Sequence, residues 1–368
     1  MIKVMTVFGT RPEAIKMLPI VKELKRRSSN FKDITVVTGQ HREILDQVLG
    51  IFDVTPDYDL DIMVPNQTIT EITVNILIEL SEIINIEKPD IVLVHGDTTT
   101  TFSASVAAFY NKIPVGHVEA GLRTWDKYSP FPEELNRQLT DVLSDLYFAP
   151  TEENKANLLK ENHKEENIFV TGNTVIDALK YSIDENFSHP VLRQINTGSQ
   201  IILLTMHRRE NQGTPMINVF KAIVDIVKKN RNVEVIFPVH PSPNVRLLAN
   251  QYLSGISRIH LIDPLGMLEF HNIAAKSYLI LSDSGGVQEE AAALNKPVLV
   301  LRKETERSEG VTAGVLKLVG TDTHDVIQDT ELLLNNKEEY RKMEQAENPY
   351  GDGHSSARIL NIIEQHID

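Results

Sequence analysis

The 368-residue sequence predicts an α/β protein built from two parallel-sheet domains in succession. Three observations carry this expectation. Short apolar runs alternate with stretches of helical periodicity from residue 2 onward; the rhythm breaks at about residues 181–199; it restarts at residue 200. The length fits two cores, since domains run about 100–200 residues.

Taken in order, Ile2–Phe8 is a β-rich run ending in Gly9-Thr10-Arg11-Pro12-Glu13. Pro12 suits the first helical position, and Ala14, Ile15, Leu18, Val21 and Leu24 follow at helical spacing. The unit recurs as Ile34–Thr38 before a helix from about His41, and as Ile91–Val94 before one from about Thr99. Pro114–Val118 leads into a loop opened by Glu119, and Asp145–Ala149 and Ile168–Thr171 are two further strands. Asn186, Ser188, Pro190 and Asn196-Thr197-Gly198 mark a linker. The second half carries strands at Gln200–Thr205, Glu234–Val239, Ile259–Ile262, Tyr278–Leu281, Pro297–Leu301 and Val315–Leu318. Ser355–Ile367 is an amphipathic helix after a glycine-rich turn. The expected division is 1–175, a linker at 176–199, 200–350, and a C-terminal helix at 351–368.

Composition narrows the function. The net charge is −14 and no extended basic cluster occurs, which argues against a nucleic-acid partner. An acidic chain still binds a small anion where Arg, His and helix N-termini gather. There is no cysteine, so disulfides, thiolate nucleophiles and thiolate-bound zinc are excluded. No run approaches the ~20 apolar residues of a membrane span, and residues 1–8 are too short for a signal peptide's apolar segment. A soluble, cytoplasmic protein is the expectation.

Chemistry concentrates between Ile91 and Arg137. Two apolar runs each end in a turn that delivers a carboxylate, Asp97 and then Glu119; Glu133, Glu134 and Arg137 follow at the start of a helix. A single such acid is commonly a helix cap. Several at the carboxyl ends of parallel strands are aimed at a ligand. In the second half, Leu281-Ser282-Asp283-Ser284-Gly285-Gly286 runs from a strand straight into a helix. Its glycines allow close backbone approach and its first-turn amides favour phosphate, with Glu290 downstream to reach ribose hydroxyls. An ordinary strand–helix turn capped by Ser284 is the plainer alternative. His207-Arg208-Arg209-Glu210, His240, Arg302 and Arg307 also lie at strand ends and suit anion recognition. His95 with Asp97, and His117 with Glu119, have alternating spacing, yet no third ligand is secure, so neither a catalytic metal nor a cofactor is expected. No Gly-x-Ser-x-Gly elbow supports a serine triad.

The segments FGTRPEAIKM, TGQHREILDQVL, PDYDLDIM, LVHGDTTTT, GHVEAGLRT, SPFPEELNRQ, TGNTVIDAL, HRRE, SDSGGVQEEA and KPVLVLR, spread over nearly the whole chain, closely resemble the non-hydrolysing UDP-N-acetylglucosamine 2-epimerases of bacteria. The resemblance implies two Rossmann-like domains with a deep inter-domain cleft, the GT-B-like architecture, and a C-terminal helix packed on the first domain. It also implies a homodimer. The implied reaction converts UDP-GlcNAc to UDP-ManNAc, an envelope-polysaccharide precursor, by eliminating UDP to 2-acetamidoglucal and adding it back. Asp97, Glu119 and Glu133 are then the acid/base and sugar-site carboxylates, supported by Arg137 and His207. Arg11, His207, Arg208, His240, Ser284, Gly285, Gly286, Glu290 and Arg307 match UDP- or substrate-binding positions, with Lys16 a further candidate.

The chain also departs from the family. Many members carry a second, regulatory UDP-GlcNAc pocket lined partly by equivalents of Gln40, Glu210 and His240. Glu43 stands where Gln is frequent and Asn66 where Arg is frequent, which removes a cation and adds an anion. Weak or absent activation by substrate is therefore expected, and sigmoidal kinetics with UDP-GlcNAc would contradict it. Pro241-Ser242 and Ser308 also differ from the usual residues. Three rival readings share the UDP cradle: a GT-B glycosyltransferase, a hydrolysing 2-epimerase and a silent nucleotide-sugar sensor. The density of acids around Asp97, Glu119 and Glu133 favours chemistry at C2.

Overall fold

The structure is a computed structural model that describes residues 1–39, 42–64 and 67–367, with the backbone alone at 42–44. The chain divides into two compact units, residues 1–181 with 350–368, and residues 182–349.

The first unit is a seven-stranded parallel sheet: β1 (Ile2–Phe8), β2 (Phe31–Val37), β3 (Tyr58–Asp59), β4 (Ile91–His95), β5 (Val115–Val118), β6 (Leu146–Ala149) and β7 (Ile168–Val170). Their order is β3-β2-β1-β4-β5-β6-β7. Its helices are α1 (Arg11–Arg26), α2 (Arg42–Ile51), α3 (Ile69–Glu87), α4 (Thr99–Tyr110), α5 (Glu133–Leu143), α6 (Glu152–Lys160) and α7 (Thr174–Ser182). The strands read as apolar runs without alternation because both faces are covered. Met5, Val7, Val92 and Val94 pack with Ile76, Leu80 and Ile84 of α3 and with Ala104, Ala107 and Ala108 of α4. Each large side chain so buried contributes about 2 kcal/mol. Strand order reverses between β1 and β4, so their two turns flank the switch point where open α/β sheets bind ligands.

The second unit repeats the logic with six parallel strands: β8 (Gln200–Thr205), β9 (Val233–Pro238), β10 (Ile259–Ile262), β11 (Leu279–Ser282), β12 (Val298–Val300) and β13 (Leu316–Leu318). The order is β10-β9-β8-β11-β12-β13, with the switch point between β8 and β11. Helices α8 (Thr214–Lys229), α9 (Pro243–Leu253), α10 (Met267–Lys276), α11 (Gly285–Ala293), α12 (Ser308–Ala313), α13 (Thr323–Asn335) and α14 (Lys337–Glu344) cover it. Phe220, Ile223 and Val227 of α8 pack on Ile202, Leu204 and Phe237.

The last helix, α15 (Ser355–His366), belongs to the first unit. Arg27, just past the end of α1, donates to the Asn361 side chain at 2.5 Å. Asp177 of α7 caps the start of α15 through the amides of Ser355 and Ser356, at 3.2 and 2.9 Å. The chain crosses back at Tyr350, whose carbonyl accepts from the Asn173 amide at 2.7 Å. Gly172 is required there: a Cβ would lie 2.7 Å from Ser355 Oγ, and its φ is +86°.

One boundary and one strand differ from the sequence expectation. Residue 175 lies inside α7, and the first unit continues to Tyr181, because loss of periodicity marks where a helix has already ended. Strand β3 also escaped notice, since two residues carry no period.

Candidate active site

Within the first unit, β4 ends at His95, Gly96 turns with φ +69°, and Asp97 precedes α4. Arg137 of α5 donates to Asp97 Oδ2 through Nε at 2.9 Å and Nη2 at 2.6 Å. Asp97 Oδ1 has no hydrogen bond among the described residues. Asn136 Nδ2 holds the Asp97 carbonyl at 3.0 Å. Arg137 also donates to buried Glu134 at 2.9 Å, which further accepts from the amides of Thr124 and Trp125 and from Gln138. These four donors outweigh the cost of burial and hold the Glu134 carboxyl below its ordinary range. Glu134 is therefore committed to structure. Its neighbour Glu133 has a buried Oε2 with no hydrogen-bond partner among the described residues.

Glu119 follows β5 with φ +67°, a left-handed conformation that costs a non-glycine residue roughly 1–2 kcal/mol. Its Oε1 contacts Lys16 Nζ of α1 and accepts from Asn173 Nδ2 at 3.2 Å. Its Oε2 lies 3.5 Å from His95 Nε2. Burial is the main reason the His95 imidazole falls to about 3, and Lys16 pushes the same way against the attraction of Glu119. His95 is thus neutral, and neither ring nitrogen has a hydrogen-bond partner among the described residues. The cluster sets a carboxylate against a cation and an amide, beside an uncharged imidazole.

Within the second unit the organiser is Asp283, wholly buried just beyond β11. It accepts from the His207 amide at 3.0 Å, the Arg208 amide at 2.9 Å and Asn211 Nδ2 at 3.0 Å. Arg208 Nε returns a bond to the Asp283 carbonyl at 3.1 Å. The His207 ring stacks on that of His240, with centroids 5.4 Å apart. Burial first, and the neighbouring His207 second, pull His240 below the ordinary histidine value. Ser284 sits at the N-cap of α11 without capping it by its side chain. The first-turn amides of Gly285, Gly286 and Val287 have no carbonyl within the helix to receive them. A Cβ at Gly286 would meet nothing within 4 Å, whereas at Gly285 it would lie 3.1 Å from the Arg307 guanidinium. Arg307 itself donates to Glu289 at 2.9 Å. The opening that both glycines were expected to provide is therefore at Gly286; Gly285 makes room for a side chain of the protein.

The structure thus groups Asp97 with Arg137, Glu119 with Lys16, and His207, Arg208, His240, Ser284, Gly285, Gly286 and Arg307 around Asp283. Glu290 lies 3.5 Å from His271 Nε2, whose Nδ1 is 2.7 Å from Ser182 Oγ. Arg11 is exposed at the first position of α1. Lys16, read from sequence as a ligand group, is here the counter-charge of Glu119. His117 is bound to Asp141 and to the Gly96 carbonyl, so its alternation with Glu119 does not make a metal face. No group of metal-holding side chains occurs among the described residues. Gln40 and Asn66 lie outside the described residues, as does the side chain of Glu43. Sequence reasoning assigned no role to Glu13, His95, Asn173, Asp283 or His271. Only their presence inside the motifs SDSGG, GTRPEA, VHGD and TGNTVIDAL marked four of them.

The family model for UDP-N-acetylglucosamine 2-epimerase matches residues 22–364. The Bacillus subtilis UDP-N-acetylglucosamine 2-epimerase is 59% identical over 365 residues, covering 99% of this chain and 96% of that protein. A crystal structure from Listeria monocytogenes assigned to the same enzyme superposes with a TM-score of 0.96 at 53% identity, covering 99% and 96% of the two chains. The Neisseria meningitidis UDP-GlcNAc 2-epimerase, crystallised bound to UDP-GlcNAc, gives a TM-score of 0.86 at 50% identity, covering 99% of this chain and all of that one.

Proposed function

The chain belongs to the UDP-N-acetylglucosamine 2-epimerase family, and from that premise we propose that it interconverts UDP-GlcNAc and UDP-ManNAc without hydrolysis. The observation that carries this reading is the carboxylate group of the first unit. Asp97 keeps one oxygen open beside its arginine, Glu119 is paired with Lys16, and Glu133 has a buried oxygen without a hydrogen-bond partner among the described residues. Such a set can remove a proton from one face of a sugar carbon and return one to the other.

A C2 proton of a sugar is not acidic, so deprotonation alone is too slow. We infer an elimination. A carboxylate takes the C2 proton as the C1–oxygen bond breaks, leaving 2-acetamidoglucal, UDP and a protonated carboxyl. In the return step a diphosphate oxygen bonds to C1 while a second acid protonates C2 from the opposite face. Charge grows on the departing diphosphate, and stabilising it falls to the α11 amides with His207, Arg208 and Arg307. His240 lines the same turn region through its stack on His207. Glu290, oriented by His271, is assigned to ribose hydroxyls. The division of labour is acid/base chemistry from the first unit and UDP binding from the second. The proposal extends to a homodimer supplying precursor for envelope polysaccharide.

Incubation with UDP-GlcNAc in D2O, followed by NMR, tests the reading. Deuterium should enter C2 and UDP-ManNAc should accumulate with no acceptor present. Release of UDP with C2 still protonated would refute it. Asp97→Asn should abolish exchange and leave UDP affinity unchanged.

A further inference from the structure

We propose that His117 is a positioning residue for this reaction: a buried imidazolium, held by Asp141, that grips the Gly96 carbonyl and thereby sets the turn carrying Asp97. The inference rests on the reading of Asp97 as an acid/base group.

His117 and Asp141 are both wholly buried. His117 Nε2 lies 2.8 Å from the Gly96 carbonyl oxygen. A carbonyl has no proton to give, so Nε2 carries the hydrogen. On the other side, Nδ1 lies 2.6 Å from Asp141 Oδ1. A neutral ring would there aim a lone pair at a carboxylate, so one proton must sit between them. Asp141 has a second claim on its charge: Arg123 Nη2 donates to Oδ2 at 2.5 Å. Arg123 is in turn forked to Glu161 at 2.9 and 2.5 Å. With His117 protonated the group holds two cations and two anions and is neutral. With His117 uncharged it would bury a net negative charge, which is costly in this setting. The neighbouring titratable groups are neutral His95 across the turn, His163, 3.7 Å from Glu161, and Tyr147, whose phenol burial and then Asp141 push up.

The consequence falls on Asp97. Gly96 sits at φ +69°, with its amide donating to the Val118 carbonyl at 3.0 Å and its carbonyl taken by His117. The next residue is fixed by α5 twice, through Asn136 to its carbonyl and Arg137 to its carboxylate. Asp141 lies on the same helix, so His117 relays a third hold from α5 to the turn. Nothing else among the described hydrogen bonds binds the Gly96 carbonyl.

The test has two arms. In 15N-histidine-labelled protein at the assay pH, both His117 ring nitrogens should be protonated, with correlations from both N–H groups. In His117→Gln, which can donate to the Gly96 carbonyl without the charge, kcat should fall about 10²-fold, the scale of a misplaced catalytic group. KM and UDP affinity should stay within about twofold, since the second unit is untouched. An unprotonated ring nitrogen overturns the proposal even if His117→Gln does not fold, and so does a folded His117→Gln with unchanged kcat. Failure of the broader reading looks different: Asp97→Asn would then retain C2 exchange, whereas an inactive Asp97→Asn beside a fully active His117→Gln sinks this inference alone.

Discussion

The two switch points are built on one plan and end with opposite chemistry. Each unit staples its two central turns together with a single buried carboxylate. In the first unit that residue is Glu13 of α1. It accepts from the Gly9 and Thr10 amides beside β1, at 3.1 and 2.7 Å, and from the Thr98 hydroxyl beyond β4, at 2.7 Å. In the second it is Asp283, on the turn after β11, reaching back to the amides beyond β8. The position of the staple decides what remains free. Glu13 takes the amides of Gly9 and Thr10, which precede α1, and Thr98 caps α4 through the Thr101 amide at 3.1 Å. Asp283 instead consumes amides of the β8 turn and leaves the start of α11 uncapped. On the function proposed above, the first unit presents carboxylates and the second offers the uncapped start of α11 to phosphate.

Removing each staple tests that comparison most severely. Asp283→Ala strips the acceptor from two amides and from Asn211, and should cost about 3–5 kcal/mol. Urea unfolding reads this as a lower midpoint at unchanged slope, and UDP affinity should fall with it. Arg137→Met comes next. It frees Asp97 and leaves Glu134 buried without its cation, so kcat should drop by at least about 10²-fold while UDP titration is little altered.

Glu13→Gln is gentler, because the amide can accept from the backbone and donate to the threonine hydroxyls; about 1 kcal/mol is expected. Its pH dependence carries more information than its size. Burial, opposed by the bonds from Thr98, Thr10 and Gly9, raises the Glu13 carboxyl above its ordinary 4.5 in the folded state. The folded protein then binds more protons than the unfolded chain between the two values. Stability from this group is present at low pH and is lost as pH rises through the folded value. Glutamine does not titrate, so the advantage of the natural residue over Glu13→Gln should be largest in acid and shrink toward neutrality. A difference that instead grows with pH would contradict the burial account.

Gly286→Ala should disturb the fold least, within about 0.5 kcal/mol, since the added methyl meets no atom and alanine favours a helix. UDP affinity should nevertheless weaken, because the methyl stands where the cradle is open. Equal UDP affinity, measured by calorimetry, would move the anion site away from α11.

Much of the scaffold was legible because its signals are local. An apolar run followed by a turn and a helical period places β1, β4, β8 and β11, and with them the turns that carry Arg11, Asp97, His207 and Ser284. The family resemblance then assigned Glu119, Glu133 and Glu290 from motifs that stand unbroken in the chain, and Arg307 from a stretch where Ser308 departs from the usual residue. Glu119 also illustrates the limit. Its place after β5 was readable, but its left-handed backbone and its partners were not.

What the sequence by itself determined is the order of elements and which residues stand at strand ends, since both follow from period and turn chemistry over a few residues. Tertiary structure alone decided who satisfies whom. The Asp283 bond to the His207 amide spans 76 residues, that from Thr98 to Glu13 spans 85, and that from Asn173 to Glu119 spans 54. A buried carboxylate must find its donors wherever the packed sheet brings them, and spacing along the chain holds no record of that meeting. For this reason the residues proposed to arm the site could be named from the chain, while the hydrogen bonds of Glu13, Asp283 and His117 could not.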